Sequence, residues 1–141
     1  MNFEKSCGAL VVRREEDQFY ILMIRHKAGG NRSFPKGHME AGESEYETAL
    51  REVMEETSSR IAIVSDFRAT VNYRPSPGVM KEVVYFLAFT TSADIKAREG
   101  EIAEVEWIPL DKAEEHLAHD NDKTVFRAAM ERMQRMTVEI K

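Results

Sequence analysis

Apolar and polar positions change period along the chain, and each change predicts an element. Cys7 to Arg13 and Phe19 to Arg25 are short β-rich runs joined by polar Arg14-Glu15-Glu16-Asp17, which predicts a hairpin. His26 to Ser33, with Gly29-Gly30-Asn31, reads as a loop. Ser44 followed by Glu47 has the pattern of a capping box and predicts a helix from Ser44 to about Ser58. With Tyr46 as zero and about 100° per residue, Leu50, Val53 and Thr57 fall within roughly 40° and Ala49 at roughly 300°. That stripe is expected to face the core. Glu52, Glu56 and Glu55, at roughly 240°, 280° and 180°, are expected to face away from it.

Ile61 to Tyr73 predicts one strand or two, Arg74 to Gly78 a proline turn, and Val79 to Thr91 a strand. Asp94 to Gly100 is a polar connection, and Val105 to Leu110 a short strand with the single tryptophan, Trp107. From Asp111 the period turns helical. Asp111 to Leu117 and Asn121 to Met136 are expected helices, the second with Val125, Ala128, Ala129 and Met133 on one stripe. These elements pack most simply as an α/β (α+β) fold, a mixed β-sheet sandwiched between helices. The chain, 1–141, reads as a single domain.

Composition narrows the class. Apolar residues make up 43% and charged residues 32%, the balance of a globular protein. The longest apolar run, Val83 to Phe89, is seven residues, far short of a membrane span. The first residues, with acidic Glu4, do not read as a signal peptide. A single cysteine, Cys7, excludes an internal disulfide, fits a cytoplasmic location, and reads as core. Residues 37–58 hold seven glutamates against Arg51 alone, a charge of −6 within a chain whose total is −5. So local a concentration points to cation binding, and a basic face for bulk nucleic acid is missing.

Glu52, Glu55 and Glu56 share an arc of about 100°, one turn apart, where like charges repel by a few tenths of a kcal/mol per i,i+4 pair. A hard cation among them reverses that sign, and magnesium suits carboxylates while leaving positions for phosphate. The competing reading is a solvated helix with a Glu47-Arg51-Glu55 ladder of ion pairs.

Gly37, Glu43 six residues later, then Arg51-Glu52-Val53 and Glu55-Glu56 have the spacing of the Nudix box, and the segment from Gly37 through Thr57 resembles that family. The resemblance implies the Nudix fold and hydrolysis of a phosphoanhydride bond with Mg2+, or Mn2+ in its place. It implies metal ligation by Glu52, Glu55, Glu56 and the Gly37 carbonyl, with Arg51 and Glu43 locking the box. It leaves the general base open between Glu56 and a loop glutamate, for which Glu101 is the first candidate and Glu104 the second. The chain departs from the family at Ser58-Ser59, where a glycine and an aliphatic residue are usual. A serine in the left-handed cap that glycine fills should cost on the order of 1 kcal/mol.

Phe34-Pro35-Lys36-Gly37-His38-Met39-Glu40, Glu47-Thr48-Ala49-Leu50, and Val71-Asn72-Tyr73 with Lys81-Glu82-Val83 resemble the diadenosine tetraphosphate hydrolase branch. That likeness implies Lys36, His38 and Lys81 near a polyphosphate and Tyr73 holding the substrate. The matching activity is asymmetric cleavage of diadenosine tetraphosphate to ATP and AMP. A nucleoside triphosphate or RNA 5′-end pyrophosphohydrolase is the enzymatic alternative, and longer dinucleoside or diphosphoinositol polyphosphates would use the same metal site. A non-catalytic nucleotide-sensing module is the alternative of another class. The expected partner is therefore a small nucleotide, with no membrane, and with nucleic acid only as an RNA 5′ end. Arg25, Lys27, Arg32 and Arg74 add basic groups, Tyr85 reads as core, and His26, His116 and His119 show no metal spacing.

Overall fold

The computed structural model describes residues 2–140. Its elements are β1 (Asn2–Glu15), β2 (Gln18–His26), β3 (Arg32–Ser33), β4 (Lys36–His38), α1 (Glu45–Thr57), β5 (Ala62–Ser76), β6 (Val79–Phe89), β7 (Ile102–Pro109) and α2 (Asp120–Ile140). The sheet runs β3-β2-β1-β6-β5, with β4 beside β1 and β7 beside β2. β1 and β6 pair in parallel from Asn2↔Val79 to Val12↔Phe89, and the other strand-to-strand pairings among the described residues are antiparallel.

Every residue from Ser6 to Arg13 is buried, because β1 is covered on both faces and so reads as a continuous apolar run. Strand alternation divides it. Leu10 and Val12, with Val83, Tyr85 and Leu87 of β6, pack toward Val125, Phe126 and Ala129 of α2. Cys7, Ala9 and Val11, with Val84, Phe86 and Ala88, pack toward Ala49 and Val53 of α1. The expected mixed sheet between helices is the observed architecture.

Four details differ from the sequence expectation. Tyr46 and Leu50, expected in the core, are 41% and 42% exposed, while Glu52 and Glu56, expected to face away, are 9% and 2% exposed. The helix is turned so that Ala49, Val53 and Thr57 point inward together with two acids. A hydrophobic wheel cannot foresee this, because it assigns every carboxylate to solvent. Asp111–Leu117 forms no α-helix but two 3₁₀ turns, Leu110–Lys112 and Glu114–His116, anchored by buried Ala113 and Leu117. So short a segment has too few bonds to offset α-helix nucleation. In α2, Phe126 is buried where Ala128 was expected; Ala128 is exposed. Finally, the proline turn contracts to Pro77-Gly78, with Gly78 at φ 79°, and Pro75 stays in edge strand β5, where no partner needs its N–H.

The capping box at the start of α1 is present: Ser44 Oγ accepts from Glu47 N–H at 3.1 Å, and Glu47 accepts from Ser44 N–H at 2.8 Å. At the other end Ser58 is the left-handed cap, with φ 63° and ψ 10°, and its N–H bonds Met54 O at 2.8 Å. A Cβ is strained in that conformation, so Ser58→Gly should stabilise the protein by about 0.5–1 kcal/mol. Urea denaturation is the check. A lower midpoint for the glycine variant would mean that Ser58 makes a compensating contact.

Candidate active site

The site grows from the short strand β4, which hangs on β1 through Ser6↔His38, Cys7↔Gly37 and Gly8↔Lys36. Ala9 N–H bonds Pro35 O at 3.2 Å, and a Cβ on Gly8 would collide with Pro35 O and Lys36. Glycine at position 8 thus lets the segment lie flat against the sheet, with fully buried Phe34 as its anchor. Gly37 faces α1, and a Cβ there would fall on the Glu52 carboxyl group. The missing side chain of Gly37 is the space that Glu52 occupies.

Arg51 is the hub of the acid cluster. Its Nε and Nη2 donate to the two oxygens of Glu43 at 2.6 and 2.9 Å, and Nη2 also reaches His38 O at 2.9 Å. Nη1 donates to Glu52 at 2.7 Å and to both oxygens of Glu55 at 3.0 and 3.1 Å. One guanidinium therefore ties the loop, β4 and two helical acids together. The Arg51 bond, followed by the Glu40 N–H and the Thr48 hydroxyl, lowers the Glu43 carboxyl to about 2. Of the expected Glu47-Arg51-Glu55 ladder only the second rung exists, since Glu47 is spent on capping.

Glu56 is the most deeply buried acid among the described residues, with 2% of its surface exposed. Its Oε1 accepts from Lys36 N–H at 3.1 Å. Burial raises its pKa to about 8, against the pull of that N–H, and the charge of Glu52 adds to the rise. Arg98 reaches Glu55 at 3.9 Å and Glu101 at 3.2 Å, and its N–H bonds Glu56 O, so the 92–101 connection closes over the end of α1.

The donor set is one of hard oxygens: the Glu52, Glu55 and Glu56 carboxylates and the backbone of Gly37, where the absent Cβ leaves room. This chemistry fits a magnesium-type ion. As the side chains stand, no three acidic, histidine or cysteine groups converge on one point among the described residues. Arg51 Nη1 sits between Glu52 and Glu55, so gathering them on an ion requires those pairs to loosen. Glu55 and Arg51 are both partly exposed and have room to do so.

Beside the acids lies a cleft of about 470 Å³. Lys36 joins the two, with its N–H on Glu56 and its side chain in the cleft wall. Tyr73, with 38% of its surface exposed, lines the cleft and pairs in register with Lys81, whose amine is lowered by burial first and then by the charge of Lys36. His38 shares a strand face with Lys36, but its exposed ring lies 3.7 Å from Glu4, outside the cleft wall. Glu101 lies near Glu56 and His26, acting electrostatically on both. Glu104 instead pairs with Arg25 on β2. The cleft also brings in residues given no role from sequence: Asn31, His119, Asn121, Asp122 and His26. Burial lowers the His26 pKa. The one sequence signal for Asp122 is its phase with Val125, Phe126 and Ala129.

Residues 3–129 match the NUDIX domain family. Over 122 residues the chain is 33% identical to the asymmetrical bis(5′-nucleosyl)-tetraphosphatase of Rattus norvegicus, covering 77% of this chain and 81% of that protein. It is 34% identical over 112 residues to the 8-oxo-(d)GTP phosphatase of Mycolicibacterium smegmatis, covering 79% of this chain but 34% of that protein. A crystal structure of a C. elegans Ap4A hydrolase binary complex superposes with a TM-score of 0.80 at 25% identity, covering 88% of this chain and 93% of that one.

Proposed function

This chain belongs to the NUDIX family, and on that footing we propose that it is a hydrolase cleaving diadenosine tetraphosphate asymmetrically to ATP and AMP. Proteins of this family act on nucleoside polyphosphates and use divalent metal ions. The observation that carries the finer reading is Lys36, which binds the buried acid Glu56 with its backbone and faces the cleft with its side chain. The likeness to the rat asymmetrical bis(5′-nucleosyl)-tetraphosphatase and to the C. elegans Ap4A hydrolase supports it.

In this reading Gly37 O, Glu52, Glu55 and Glu56 hold magnesium, with manganese as a substitute, and the bound ion supplies phosphate neutralisation and a water of lowered pKa. Arg51 and Glu43 fix the loop and α1 so that the acids keep their places. Lys36 and Lys81 face the phosphate chain, and His38 approaches it from the rim when its ring leaves Glu4. Tyr73 offers a half-exposed aromatic face for an adenine, a contact worth about 1–3 kcal/mol in single-strand binders. Water attacks one phosphorus, the bridging P–O bond breaks in line, and the water proton passes to Glu56 or to Glu101. The single buried thiol, Cys7, accords with a cytoplasmic setting.

Incubation with a panel of nucleotides and magnesium, followed by chromatography of the products, tests the assignment. ATP plus AMP from diadenosine tetraphosphate supports it. Pyrophosphate from nucleoside triphosphates or from a 5′-triphosphorylated RNA would replace it with the alternative hydrolase, and tight binding without any product would point to a sensor. Lys81→Ala is expected to raise KM for the tetraphosphate by about tenfold and for a nucleoside diphosphate much less. Equal effects on both would reduce Lys81 to a packing role.

A further inference from the structure

Two polar groups beside Tyr73 are left idle by the chemistry of the acid box. Asp122 lies in the first turn of α2, at the end of the stripe that continues through Val125, Phe126 and Ala129 into the core. It is half-buried and lines the cleft, and its side chain makes no hydrogen bond or ion pair among the described residues. Tyr85 is 1% exposed and also lines the cleft. Phe34 holds its ring edge-to-face, with centroids 5.7 Å apart and planes at 82°. Its hydroxyl makes no hydrogen bond among the described residues. The ring is enclosed, but the hydroxyl keeps solvent access where Tyr85 lines the cleft, so a group from outside the chain can pair with it. Asp122, Tyr73 and Tyr85 all line this one cleft.

Resting on the nucleotide reading above, we propose that Asp122 and Tyr85 read the Watson–Crick edge of an adenine stacked on Tyr73. The Asp122 carboxylate accepts from the exocyclic N6 amino group, and the Tyr85 hydroxyl donates to N1. The pair is complementary to that edge because adenine presents one donor beside one acceptor. Hypoxanthine differs from adenine by a carbonyl in place of the amino group. That oxygen would meet the carboxylate acceptor to acceptor, so the same contact that selects adenine repels the deaminated base.

The experiment compares kcat/KM for diadenosine and diinosine tetraphosphate, alongside equilibrium binding of AMP and IMP. The wild-type protein should prefer adenine by at least about tenfold in both. Asp122→Asn, whose amide can turn its NH₂ toward a carbonyl, should bring both ratios close to one. Tyr85→Phe should raise KM for the adenine substrate several-fold without lowering Tm, since no bond within the protein is lost. If wild type turns over no polyphosphate yet keeps an Asp122-dependent preference for AMP over IMP, the phosphatase reading falls and this one stands. Ratios unchanged by Asp122→Asn, or no preference in the wild type, would overturn it.

Discussion

Glu56→Gln should give a folded protein whose kcat is lower by about two to four orders of magnitude. Glutamine keeps the shape of the side chain, and its carbonyl oxygen can still accept from Lys36 N–H, so the contact between α1 and β4 survives. It carries no negative charge and takes up no proton, so it fails both as an ion ligand and as a base. Full activity would remove Glu56 from the mechanism and leave Glu101 as the proton acceptor. The substitution also has a signature in stability. In a chelator-treated protein burial raises the Glu56 carboxyl from 4.5 to about 8, so the folded state holds this proton more tightly than the unfolded one. The resulting stabilisation is complete below 4.5 and is lost as pH climbs through 8. Between pH 6 and pH 9 wild type should therefore weaken by roughly 3 kcal/mol on account of this group, and Glu56→Gln should lack that loss. Urea titrations at pH 6 and pH 9 measure it directly. The same proton must leave when a cation arrives, so apparent ion affinity should rise with pH up to about 8.

Gly37→Ala is expected to act through Glu52. The added methyl group would occupy the position of the Glu52 carboxyl, which must swing out and give up its bond with Arg51. Because the displaced atoms are the far end of a flexible side chain, stability should fall by only about 1–2 kcal/mol. Turnover should fall at least about a hundredfold, since a misplacement of this size around a reacting phosphate is costly. Gly30→Ala is the control, because nothing lies within 4 Å of the added methyl there. A Gly37→Ala protein with normal kcat and normal magnesium affinity would show that Glu52 does not need that position.

What could be read in advance was mostly local. The capping box at Ser44 and the left-handed cap at Ser58 depend on neighbours a few residues away, and both are present. The β-rich runs were legible because β1 and β6, covered on both faces, have near-continuous apolar sequences. The rotation of α1 was not. Glu52 and Glu56 are buried by β4 and by the 92–101 connection, partners chosen by tertiary packing rather than by the helix's own pattern. Lys36 and Tyr73 emerged from the resemblance, whereas Asp122, Asn121 and His119 reach the cleft only because α2 docks on that face of the sheet.

The parallel pairing of β1 with β6 has an implication for biogenesis. β4, and with it Gly37, leans on β1, while β1 takes its other neighbour from residues 79–89. A nascent polypeptide that has not yet released Phe89 from the ribosome carries the whole acid box and the strands β1 to β4, but lacks the strand that pairs β1 from Asn2 to Val12. Such long-range closure is slow and entropically costly. Competence to capture a cation should therefore switch on late in translation, well after the residues that ligate it have emerged.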